Sequence, residues 1–347
     1  MNDFHSKKEI NEYTFEITIT IPKDSFKKSY DLLLEEYAEK LDIKGFRKGR
    51  VPTNLISDQV KEVTKFETLE KIAPLYITTA LQKENLAPIA PPEYKEIPKI
   101  VENTDVPFTI VVTIMPKFKL GDLKKIKIEK QAIEITKEEI DKALEELKST
   151  QTTKTKEMND KWAKEVSITL EQKGITTLEQ LKKKIKELLY KQKEHFQFHK
   201  MQDEALKLAI TESKINIPQV AIDFEAQERE KTFNENIKEK KLNIDEFLKT
   251  NNITIEKMRE LWNRDAKEAI ETDVFLTLYA DTKKIEITEG ALNKKINEIK
   301  KQRPDVDRTV FSDPQWREYI KNIERKEKAF SSFAEEIFGK DFVSKYN

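Results

Sequence analysis

The chain has 347 residues, enough for two or three domains, and splits evenly between apolar and charged residues at 37% each, the pattern of modest cores under a highly charged surface. Only six glycines are present, which argues against a turn-rich β fold and against a glycine-rich phosphate loop or dinucleotide fingerprint. Lys plus Arg equals Asp plus Glu at 64 each, so no global field draws the chain to DNA or an anionic membrane, and the absence of cysteine excludes disulfides, thiolate metal sites and cysteine nucleophiles together.

The start, Met1-Asn2-Asp3-Phe4-His5, lacks the basic head and apolar run of a signal peptide, and no stretch approaches the roughly 18 apolar residues of a membrane span. A cytoplasmic protein with no membrane partner is expected. Residues 12–22 alternate Phe15, Ile17, Ile19 and Ile21 with polar neighbours, a half-buried strand that Pro22 stops. Asp24 or Ser25 is placed to cap a helix whose apolar face carries Phe26, Tyr30, Leu33, Tyr37 and Leu41. After a short loop, Pro52 suits the first turn of another helix with Leu55, Ile56, Val60, Val63 and Phe66 on its apolar side, and a further helical run over 69–82 ends before the turn Ala87-Pro88-Ile89-Ala90-Pro91-Pro92. Residues 108–115 and 123–130 read as strands. The first region, 1–130, is therefore an α+β domain.

Thr136 and Glu139 form a capping box for a short helix, which dissolves into the polar run 148–156, so 131–161 reads as a short helix and linker. From Trp162 to the end, 162–347, the pattern is helical nearly throughout. A capping box at Thr176 and Glu179 opens a long helix striped with Leu178, Leu181, Ile185, Leu188, Phe196, Leu206 and Ile210. The helix over about 219–240 is mostly polar, with Phe224, Phe233 and Ile237 as isolated apolar groups, the composition of a projecting arm or a narrow seam. Further helices are expected over 244–250, 255–283, 288–302 and 314–338, with caps at Thr254 and Thr288, Pro314 in a first turn and Gly339 as a stop.

One loop concentrates the chemistry. Gly45-Phe46-Arg47-Lys48-Gly49-Arg50-Val51-Pro52 sets a large aromatic among cations between two glycines. Up to Met115 there are 16 Lys or Arg against 19 Asp or Glu, yet 40–50 holds Lys40, Lys44, Arg47, Lys48 and Arg50 against Asp42 alone. Such a patch in an acidic domain suits an acidic protein surface or phosphates, and an exposed aromatic beside arginine is the usual composition of an interface hot spot. A plain helix-loop-helix joint with solubilising cations accounts for the same residues.

Gly-Phe-Arg-Lys-Gly-Arg-Val-Pro closely resembles the ribosome-binding signature of the trigger factor family, chaperones at the exit of the ribosomal tunnel. The strand before it, the turn 87–92, Ile133-Glu134-Ile135-Thr136 and Ile215-Asn216-Ile217-Pro218 resemble that family in order along nearly the whole chain. The resemblance implies an ATP-independent chaperone without cofactor. It would be built as an α+β ribosome-binding domain followed by a mostly helical domain with protruding arms, its partners the large ribosomal subunit at the tunnel exit and nascent or unfolded polypeptides. Family ribosome contacts carry over onto Phe46, Arg47 and Lys48 within Gly45, Gly49, Arg50 and Pro52, with Arg50 standing where lysine is common. A homodimer of the free protein stays open. Family members usually carry a prolyl isomerase domain of the FK506-binding type between the two parts. Here about a dozen residues separate Ser149 from Trp162, whereas even a small domain needs about 50, so the isomerase is expected to be missing and the chain not to be an enzyme.

His195 and His199 have the i, i+4 spacing of zinc ligands, but His5 is the remaining histidine and no cysteine completes a tetrahedral set, so no metal is expected and surface or seam histidines are the better reading. No carboxylate pair stands out as a general acid and base. Phe196, Phe198, Phe224, Phe233, Phe247, Trp262 and Trp316 read as bundle core or as exposed holdfasts for clients, and Phe224, Phe233, Ile237 and Phe247 are the candidate client contacts. Two other functions remain open: a prolyl isomerase-type folding factor, and a helical scaffold that never touches ribosomes.

Overall fold

The computed structural model of the chain describes residues 4–40, 56–150, 155, 157–170 and 174–346. In chain order the elements are β1 (His5–Asn11), β2 (Thr14–Ile21), α1 (Lys23–Lys40), α2 (Asp58–Lys83), β3 (Glu93–Tyr94), β4 (Val106–Thr113), α3 (Lys137–Thr150), α4 (Asp160–Thr169), α5 (Leu178–Glu212), α6 (Gln219–Glu239), α7 (Ile244–Thr250), α8 (Ile255–Thr282), α9 (Glu289–Gln302), α10 (Pro314–Phe338) and α11 (Lys340–Val343). They fall into two compact units, one of Met1–Lys117 with Asn216–Ile270, the other of Phe118–Ile215 with Glu271–Asn347. The chain is α+β, with one small antiparallel sheet and otherwise mainly helices, as the sequence predicts.

In the first unit the sheet order is β1-β2-β4-β3. Alternation sets its register: Phe15 faces Val112, Ile17 faces Ile110, Ile19 faces Phe108 and Ile21 faces Val106. These residues turn one face of the sheet inward, where Phe26 of α1 and Leu69, Ala73, Ala80 and Leu81 of α2 close over it. The isoleucines of β2 are fully buried. The same unit holds α6, α7 and the first part of α8.

The second unit has several small cores. Leu144 of α3, Trp162, Ala163 and Val166 of α4, and Leu181 and Ile185 of α5 form one. Leu292 and Ile296 of α9, Phe311 of the 3-10 turn Val310–Ser312 and Ile320 of α10 form another. Phe275 and Tyr279 of α8 meet Phe333 of α10 edge to face at 5.2 and 5.9 Å, and Phe198 of α5 stacks on Tyr346 at 4.4 Å.

Several local expectations are corrected. The strand β1 carries no apolar alternation, with only Ile10 among polar residues, so nothing in its pattern announces it; backbone pairing to β2 makes it. Asp24 and Ser25 lie within α1, which starts at Lys23 directly after Pro22. The two helices expected after Pro52 are one, α2, capped by Ser57, whose side chain accepts from the Val60 N–H. Val63 and Phe66 face out, and Thr64 and Thr68 are buried instead. Both threonines donate their hydroxyls to carbonyls one turn back, Thr64 to Val60 and Thr68 to Thr64, at 2.7 Å each, so no polar atom is stranded. No strand forms over 123–130: Leu123–Lys125 is a single 3-10 turn, and Ile126 and Ile128 keep their alternation without a partner strand. The α5 capping box lies one residue on from the expected one, with Thr177 and Gln180 exchanging bonds, because Thr176-Thr177-Leu178-Glu179-Gln180 contains both frames. Leu188 and Phe196 leave the α5 core stripe and face solvent.

Candidate functional site

The helices flanking residues 41–55 form the base of the first candidate surface; Gly45, Phe46, Arg47, Lys48, Gly49, Arg50 and Pro52 lie outside the described residues. Leu34 and Ala38 of α1 pack with Ile56, which precedes α2. The Tyr37 hydroxyl donates to both Glu67 carboxylate oxygens at 2.7 and 2.6 Å, and this bond, with burial, pushes the phenol above its ordinary value. Lys71 pairs with Glu36 at 3.7 Å. The C-terminal part of α1 is therefore clamped to α2 by a small apolar core and a charged hydrogen bond.

The second candidate surface lies in α6, α7 and the first part of α8. Phe233 is 5.5 Å from both Phe247 and Trp262, all three half-buried. Beside them Arg259 grips Glu230 with Nε at 3.1 and 3.0 Å and Nη2 at 2.6 Å, a bidentate pair that pulls the Glu230 carboxyl below its ordinary value. Ile237 is buried beneath the turn where the Leu242 N–H returns to its carbonyl. Phe224 is half-buried on one side of a groove of about 510 Å³, opposite Pro91 and Pro92. The structure thus joins Phe233 to Phe247, with buried Ile237 one turn along α6 from Phe233, and lines a separate groove with Phe224. Trp262, absent from the candidate contacts, completes the cluster; its spacing from Phe233 across a helix, a turn and a second helix carries no local signal.

Among the larger aromatics, Phe198 is core, whereas Phe196 is 72% exposed. It stands beside a groove of about 890 Å³ between residues 131–134 and α5, a feature the sequence reading missed because a helical stripe does not say which of its members lacks a neighbour. His195 and His199 are exposed with their rings 4.4 Å apart, and His199 Nδ1 meets Gln202 Oε1 at 3.1 Å. Among the described residues no group of three or more His, Cys, Asp or Glu is placed to hold a metal ion, and no helix is long and apolar enough to cross a membrane.

The family described as "Bacterial trigger factor protein (TF)" matches residues 4–147, and that described as "Bacterial trigger factor protein (TF) C-terminus" matches residues 177–334, so the two together span most of the chain. The chain is similar to "Trigger factor" of Bacillus cereus (strain Q1) and of Bacillus anthracis (strain A0248), in each case 21% identical over 378 residues that cover 82% of this chain and 88% of the relative. Its fold resembles a solved structure described as "Promiscuous Substrate Recognition in Folding and Assembly Activities of the Trigger Factor Chaperone", with a TM-score of 0.55 and 15% identity over 96% of this chain and 100% of that one. With both terminal halves matched in order and the fold in agreement, the chain belongs to the trigger factor family.

Proposed function

We propose that the chain is an ATP-independent, ribosome-associated chaperone that docks near the tunnel exit and holds nascent or unfolded polypeptides until they fold. The observation that carries this reading is the pair of trigger factor matches running in order along the chain, with the Phe46-Arg47-Lys48 signature inside the first. In this reading residues 1–130 dock on the ribosome, 131–161 form a short helix and linker, and 162–347 bind clients. Phe46 inserts while Arg47, Lys48 and Arg50 meet acidic or phosphate groups, and the clamp between α1 and α2 resists the pull of the bound ribosome. Phe224, Phe233 and Phe247 contribute client contacts through many weak apolar touches, each reversible on its own, while Ile237, expected among them, is buried and serves as core. The working compartment is the cytoplasm.

The chain works without prolyl isomerase chemistry in this reading. The alignment to the Bacillus cereus relative runs over 378 positions but takes in 82% of 347 residues, about 285, so about 90 positions of the relative face no residue here. That is the size of a small domain.

Co-sedimentation with purified ribosomes tests the docking. The parent pellets with ribosomes, and the variant Phe46→Ala, Arg47→Ala, Lys48→Ala stays in the supernatant; equal pelleting of the two, or none by either, refutes the loop as anchor. An assay on a proline peptide gives no catalysed isomerisation, and turnover by the purified chain overturns the second part of the proposal.

A further inference from the structure

Residues 126–135 run as an extended segment along α5, outside any sheet. The Lys125 ammonium reaches Glu212 at 3.2 Å and the Lys193 ammonium reaches the Glu134 carbonyl at 2.9 Å, so nine residues of this segment run antiparallel to nineteen residues of α5. Nineteen helical residues span about 28 Å, or about 3.2 Å for each residue of the segment, which is the rise of an extended strand. Ile126 and Ile128 are half-buried on one side of the segment, and Ile133 and Ile135, an odd number of residues further on, are half-buried after the alternation changes phase, with most residues between them exposed. Side chains of α5 hold it down: Glu194 pairs with Lys130 at 3.5 Å, and Gln197 Nε2 donates to the Gln131 carbonyl at 2.7 Å.

Its main-chain donors are nevertheless unpaired, although α5 side chains take the Gln131 and Glu134 carbonyls. Among the described residues, none of the N–H groups from Lys127 to Ile135 has a protein hydrogen-bond partner. Beside the segment lies the groove of about 890 Å³, with Ile133, Leu189 and the exposed ring of Phe196 as its apolar wall. A row of free N–H groups next to an apolar groove is complementary to another extended chain: hydrogen bonds supply sequence-independent hold, and alternate side chains find the groove.

The geometry points to strand addition at residues 127–135 as a mode of client capture, the occupant being an extended, β-prone segment of an unfolded polypeptide with an apolar side chain against Phe196. This rests on the chaperone reading and adds to it a site and a binding mode. It also sets the kind of sequence preferred, which is alternating apolar and polar, and it disfavours clients whose amides are blocked.

The test uses the full chain and a fluorescein-labelled peptide of alternating valine and threonine flanked by lysines, compared by anisotropy with the same peptide N-methylated at every second residue. The parent binds the unmethylated peptide at least about fivefold more tightly, the loss expected for a few main-chain hydrogen bonds. Phe196→Ser weakens both peptides about tenfold. Adjacent amides in a strand face opposite edges, so one of Gln131→Pro and Ala132→Pro removes an outward N–H at a position whose extended backbone accepts proline, and that variant loses the preference for the unmethylated peptide. Equal affinity of the parent for the two peptides overturns the proposal without any variant having to fold. So does an undiminished preference in both proline variants. Delay of aggregation of an unfolded protein is measured alongside: a parent that delays aggregation but ignores methylation sinks the strand site and spares the chaperone reading, whereas a parent that does neither sinks both.

Discussion

Gly121→Ala should detach the chain leading into the extended segment 126–135 from the end of α5. At Gly121 the chain passes so close to the α5 terminus that an added Cβ would lie 2.5 Å from the Glu212 carbonyl carbon, 2.6 Å from its oxygen and 2.8 Å from the Ser213 nitrogen. All three are main-chain atoms and cannot rotate away. Ordinary van der Waals contact begins near 3.4 Å, so the segment must retreat by about 1 Å. The Gly121 N–H, which donates to Ser213 Oγ at 3.0 Å, then falls out of hydrogen-bonding range. Overpacking costs about 1–3 kcal/mol and the lost bond about 1 kcal/mol, for a total of about 2–4 kcal/mol. The assay is urea unfolding followed by Trp162 and Trp316 in a Trp262→Phe background, which confines the signal to the second unit. Ser213→Ala alone should cost about 1 kcal/mol, and the double variant less than the sum, since both changes break the same bond. A Gly121→Ala protein within about 0.5 kcal/mol of the parent would refute the claim of close main-chain contact.

At the N-terminus, Lys7 at 2.6 Å and His5 at 2.9 Å hold the Glu84 carboxyl below its ordinary value of 4.5. A depressed carboxylate contributes stability above its unfolded value and loses it as pH falls through the folded one. Amide protection of β1 should therefore drop below about pH 4.5 in the parent, and Glu84→Gln should show low protection already at neutral pH with a flatter acid profile; parallel profiles contradict the anchor. Burial pushes the Tyr279 phenol up to about 12, and its hydroxyl donates to Glu336 at 2.8 Å. The neutral form is favoured, so its contribution is complete below about pH 10 and is lost as pH rises toward 12; Tyr279→Phe should be about 1 kcal/mol less stable at neutral pH, with the gap closing in alkali. Phe233→Ala should red-shift Trp262 emission and cost about 2 kcal/mol in unfolding of the first unit alone. An unchanged spectrum would mean that the cluster with Phe247 does not form.

Much of the fold is legible where burial and period coincide. Strand β2 follows from four alternating apolar residues, and α8 to α10 follow from caps and breakers such as Thr254, Thr288, Pro314 and Gly339. Failures occur where tertiary contact overrides local pattern. In β1, pairing makes a strand from residues with no apolar face; in 123–130 a strand-like pattern finds a helix instead of a neighbouring strand, and only the structure shows that its amides are left over. The buried side of α2 runs through threonines that satisfy themselves, so an apolar search picks the wrong face. The proposed docking loop lies outside the described residues, so its reading rests on composition and family signature alone. The trio of Phe233, Phe247 and Trp262 was only partly legible, since its members come from three helices.

The core shared by Leu144, Trp162 and Leu181 has a further consequence for how this family varies. It brings the last turns of α3 and the first turn of α4 onto the same stretch of α5, so two points separated along the chain are neighbours in space. A folded cassette whose own ends lie close together could be spliced between α3 and α4 without stretching either helix. The module of α3, α4 and the start of α5 is thus a socket whose core of Leu144, Trp162 and Leu181 would stay intact around an added domain.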